Sequence, residues 1–133
     1  MAVTVTNTTI AALNTDQTLT ANAATSTVAG GSEVFTYTPK ANEGKIALIM
    51  QSTSAGTVPA TYSIAAGDLW AGKAITGTIG STTAAAAIEV LQIDTARVLQ
   101  DDGTIAITVS PGDTGTSMLL GTHGFKMYAL ELL

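Results

Sequence analysis

The chain has 133 residues, of which 46% are hydrophobic and only 11% charged, with a formal net charge of −5 and no cysteine. That length fits one domain with a real core, and the hydrophobicity is not that of a disordered chain. The missing cysteines exclude a disulfide framework and thiolate chemistry, and they fit a protein made in a reducing cytoplasm.

In chain order, the first third stands apart. Residues 1–32 carry no aromatic and only one charged residue, Asp16, in a Thr/Ala/Asn-rich run. Ala2 to Thr6 alternates small or apolar residues with threonine at strand period. This segment is expected to be an extended N-terminal arm, ordered by contacts with other chains through Val3, Val5 and Ile10, ahead of a domain spanning 33–133.

Short β-like runs separated by turn residues follow. "EVFTYTP" sets Phe35 and Tyr37 against Val34, Thr36 and Thr38, and Pro39 ends it. "KIALIMQS" is apolar from Ile46 to Met50, as in a strand covered on both faces. "ATYSIAAG", "AITGTI", "AIEVLQI" and "ARVLQ" come next. Residues 83–100 also fit an amphipathic helix, but their β-branched residues favour strand, turn, strand. Asp102-Gly103 reads as a hairpin turn before the alternating Thr104 to Val109. "FKMYALELL" closes the chain, with Phe125, Met127, Ala129 and Glu131 on one side. About eight short strands with frequent turns predict an all-β, jelly-roll-like antiparallel β-sandwich.

Chemistry finds little support. His123 is the sole histidine and sits in a glycine-flanked turn without an orienting partner, so no catalytic residue is assigned. Adjacent Asp101 and Asp102 before Gly103 lack calcium-loop spacing, and one histidine without cysteine supports no zinc site. No metal, cofactor or small-molecule substrate is expected. The single arginine, Arg97, and scattered Lys40, Lys45, Lys73 and Lys126 form no basic stripe for nucleic acid. The most apolar stretch, "AAAAIEVLQI", contains Glu89 and falls short of the ~20 residues a membrane span needs. No charged leader precedes Lys40, and a soluble protein is expected.

"GDLWAGKAI" holds the only tryptophan, Trp70, between Gly67 and Gly72. Trp70 can fill the core, stack on a sugar, or anchor a neighbouring chain. The poorly charged surface favours an anchor, with Asp68 and Lys73 as its polar rim.

"KIALIMQSTSAG", "YSIAAGDLWAGKAITGTI", "VLQIDTARVLQDDGTIAITVS" and "MYALELL" together resemble the head decoration, or cement, proteins of tailed bacteriophages. The resemblance covers 45–133 and leaves the N-terminal third unmatched. It implies a non-enzymatic virion protein, commonly a homotrimer, on the outer capsid surface, bridging subunits of the major capsid protein. The alternative is an extracellular β-sandwich binding module, carbohydrate-binding or adhesive, which asks for an exposed aromatic platform and an export signal.

Overall fold

Alternation with a period of two places every second side chain of a strand on the same face, and this pattern organises the computed structural model. It describes residues 2–10, 18–40, 44–53, 58–68, 72–81, 86–113, 115 and 124–132, and for residues 2, 7–10 and 132 the backbone alone. The strands in chain order are β1 (Ala2–Val5), β2 (Asn7–Ile10), β3 (Asn22–Ala23), β4 (Glu33–Tyr37) and β5 (Lys45–Ser52). They continue with β6 (Ala60–Ile64), β7 (Ile75–Ile79), β8 (Ala87–Asp94), β9 (Ile105–Pro111) and β10 (Lys126–Leu132).

Two sheets form a sandwich. The first has the order β1-β4-β9-β6-β7 and the second β2-β10-β5-β8, with β3 paired to β10. The pairs β1–β4 and β2–β10 are parallel, and the other described pairs are antiparallel. From β4 onward, only β6 and β7 are both consecutive and adjacent. Every other step crosses between the sheets.

The core lies between them. Phe35, Tyr37, Ile64, Ile79, Ile105, Ile107 and Val109 face it from the first sheet; Ile46, Leu48, Met50, Ile93, Met127 and Ala129 face it from the second. Phe35 and Phe125 meet edge to face with ring centroids 5.3 Å apart, joining the two sheets.

Four expectations need correction. The N-terminal segment is extended, but its strands pair within the chain: β1 lies on β4 and β2 on β10. Its alternation supplies an inward valine, Val5, which is only 5% exposed, and β1 and β2 pair with backbone groups of β4 and β10 that would otherwise lie open at a sheet edge. "ARVLQ" is not a strand. Asp94 caps a 3-10 turn at Thr95–Arg97 by accepting from the Ala96 N–H at 3.1 Å, so Val98 and Leu99 reach the core from a loop.

Asp102-Gly103 forms the expected turn, closed by Gly103 N–H donating to the Gln100 carbonyl, with φ 79° at Gly103. It links that loop to β9 and is not a hairpin between neighbouring strands, because β8 and β9 lie in different sheets. Finally, β5 is buried on one face only: Ile46, Leu48 and Met50 are covered, while Ala47 and Ile49 are half-buried.

Candidate interaction surface

Of the residues singled out in the sequence, those that are described do not gather into one patch. Trp70 and its neighbours 69 and 71 lie outside the described residues, as does His123. Asp68 is exposed but engaged: its N–H donates to the Leu99 carbonyl at 3.1 Å, and its carboxylate accepts from the Asp101 N–H at 2.9 Å. It fastens the loop after β6 to the turn before β9. Gly67 is buried in the same contact, where a Cβ would fall 2.8 Å from the Leu99 carbonyl oxygen. The backbone that needs this glycine's missing side chain belongs to the chain itself.

Lys73 is exposed. Val3 packs half-buried against the core, and Val5 stands within it opposite Tyr37. A valine buried in the core offers nothing to a neighbour, so Val5 is withdrawn as an interface residue. Ile10 lies in β2 opposite Leu132, at the other sheet.

The buried polar groups are structural. Glu33, fully buried, accepts from the Thr25 N–H at 2.7 Å, the Thr25 hydroxyl and the Ser26 N–H at 3.0 Å. Glu131, at the inner end of β10, accepts from the Lys40 N–H at 2.8 Å. The Tyr37 hydroxyl is buried without a well-formed hydrogen bond, and burial first, then the nearby Glu131 carboxylate, pushes it above the ordinary phenol range. A phenol kept protonated and sealed from solvent is no general base.

Asp102 accepts from the Thr104 N–H and hydroxyl at 2.9 and 2.6 Å, which lowers its pKa. Those bonds hold a turn. No group of three or more potential metal-ligating side chains occurs among the described residues. Phe35, Tyr37 and Phe125 are buried, and the Tyr62 ring covers the Cα of Gly77 on β7. No outward aromatic platform is built among them.

The outer face of the second sheet is different. Register places Val90, Ile49 and Tyr128 in one row, Gln92, Ala47 and Leu130 in the next, and Ile88, Gln51 and Lys126 on the other side. Ile88 is 62% and Val90 65% exposed, beside half-buried Ile49, Ala47, Leu130 and Tyr128. The Tyr128 hydroxyl and Gln51 share a hydrogen bond at 3.3 Å. Lys126 closes the apolar area at one end, and the exposed pair Asp94 and Lys45 at the other.

The signal for this face was present in the sequence. "AIEVLQI" and "KMYALEL" place apolar residues at both parities, as "KIALIM" does. A strand apolar at both parities has two faces to cover, and the fold covers one. No helix among the described residues is long and apolar enough to cross a membrane. Comparison with known protein families, with curated proteins and with solved structures finds no match.

Proposed function

We propose that the chain is a structural virion protein, a decoration or cement protein that binds the outer surface of a tailed-phage capsid after being made in the host cytoplasm. The observation that carries this reading is the uncovered apolar face of the second sheet, centred on Ile88, Val90 and Ile49. Exposed contiguous apolar surface on a small domain marks an interaction site. The resemblance to decoration proteins gives the partner, the major capsid protein.

Size argues for several contacts acting together. Strands of eight, eight, seven and four residues, ~4.8 Å apart and rising ~3.3 Å per residue, present roughly 400 Å², below the ~800 Å² per partner of a standard interface. One such face binds weakly. A homotrimer bridging neighbouring capsid subunits would engage three at once, and linked contacts multiply into avidity. Binding the assembled shell and not its free subunits would stabilise the shell by mass action.

The test is co-sedimentation of the protein with emptied, mature heads of the phage that encodes it, with the free protein's mass measured in parallel. Saturable binding to heads by a trimer is the expected result. A protein that leaves intact heads undecorated at micromolar concentration contradicts the proposal.

A further inference from the structure

Among the described strands, β1 and β7 end the first sheet, β8 ends one side of the second, and β2 with the two-residue β3 ends the other. β1 and β2 have four residues and β7 five, whereas β8 has eight. One side of β8 pairs with β5 along its whole length. On its other side no described strand lies, so the alternate N–H and C=O groups that point away from β5 have no ladder partner among the described residues. Such an edge is a template for another strand, and natural edges are usually kept short or charged for that reason.

The side chains along this edge are selective. Ile88 and Val90 flank it on the outer face. Between them Glu89, on the inward parity opposite fully buried Met50, stays exposed at the rim. An inward-pointing charge on an edge strand deters pairing with any strand that cannot answer it. A second copy cannot. Antiparallel self-pairing that sets Glu89 opposite Ala87, Glu89 or Leu91 of the other copy makes the two carboxylates direct or diagonal neighbours, and in the register that sets it opposite Ile93 the second copy still brings no cation to it. The remaining edge strands, "AVTV", "NTTI" and "ITGTI", carry no charged residue.

We propose that the outer edge of β8 is a docking site for an extended strand of a different protein. That strand is apolar at alternate positions, to continue the Ile88–Val90 face, and bears a lysine or arginine at the position facing Glu89. Charge complementarity fixes this occupant: the edge is acidic and aliphatic, the chain is net negative at −5, and none of its own edge strands offers a cation. The proposal rests on the reading of the chain as an assembly protein and gives the chemistry of the partner's contact segment.

The full chain is titrated with three capped octapeptides: alternating lysine and valine, four lysines followed by four valines, and alternating glutamate and valine. Amide hydrogen exchange at residues 87–94 reports docking. The alternating lysine peptide is expected to slow exchange in β8 and to bind about tenfold more tightly than either control. Glu89→Lys, at an exposed position, is expected to transfer the preference to the glutamate peptide.

Equal effects from the three peptides, or protection elsewhere than β8, overturn the proposal. So does β8 protection that rises with protein concentration alone, which assigns the edge to a second copy. The assay contains no heads, so its outcome is separate from decoration. Head binding without peptide docking removes this site only, and peptide docking without head binding removes the capsid reading.

Discussion

The Asn22 carboxamide accepts from the Thr6 N–H at 2.8 Å and donates to the Thr20 and Met127 carbonyls at 3.1 and 3.0 Å. A longer contact of 3.4 Å reaches the Thr6 carbonyl. Thr6 is where the chain leaves one sheet for the other, so its backbone has no strand partner, and the Asn22 side chain substitutes for one. Asn22→Ala is expected to cost about 1–3 kcal/mol in chemical denaturation, since the buried Met127 carbonyl and the part-buried Thr6 N–H lose their partner. A change below about 0.5 kcal/mol contradicts the clamp.

Gly103 has open space around its Cα, so only its φ of 79° resists a side chain. Gly103→Ala is expected to cost about 1–2 kcal/mol and Gly103→Asn less, an order that unfolding midpoints test. The neighbouring Asp102 is held below its usual 3.8 by the hydroxyl and N–H of Thr104. With the folded pKa depressed, its stabilising contribution is present above the unfolded value and lost as pH falls through the folded one. In Thr104→Val the hydroxyl donor is gone, and the Asp102 carboxylate is expected to titrate at higher pH. Coincident NMR titration curves for wild type and variant contradict that assignment.

At the scale of elements, alternation was a faithful guide where a strand has one apolar parity. β4 and β9 bury the residues their pattern selects, including Phe35 and Ile107. It was less informative where local hydrogen bonding competes. "ARVLQ" reads as strand from Val98 and Leu99, yet the Asp94 cap and the bonds from Val98 and Leu99 N–H to the Thr95 carbonyl close a turn there.

The candidate surface was half legible. Apolar residues at both parities of β5 marked a strand with two faces to cover, but only the sheet order shows which face is left open and places Ile88 and Val90 beside Ile49. Trp70 drew notice as the only tryptophan, and rarity alone carries no position. Because Ile88 and Val90 are exposed, the double variant Ile88→Thr/Val90→Thr is expected to change stability by less than about 0.5 kcal/mol. A melt lowered by many degrees would return these side chains to a folding role.

The whole molecule depends on its N-terminal segment more than composition suggests. β1 and β2 each end a sheet, one in either layer, and Val5 enters the shared core. A chain poor in aromatics can still add backbone pairing and one buried valine. Removing residues 1–10 is therefore expected to destabilise the domain by several kcal/mol, with the valine alone worth about 1.5–3 kcal/mol. An unchanged denaturation midpoint would show that the remaining chain, 11–133, folds without those edges.

The two-layer sandwich leaves one apolar sheet face open to solvent, and the claim that this face makes the capsid contact is tested most directly by the Ile88→Thr/Val90→Thr variant. Its binding to emptied heads is measured by co-sedimentation beside wild type, with both proteins equally folded. The account predicts retained folding and binding weakened at least about tenfold, because central apolar contacts dominate an interface. Wild-type affinity in the folded double variant would contradict it and move the contact surface elsewhere on the molecule.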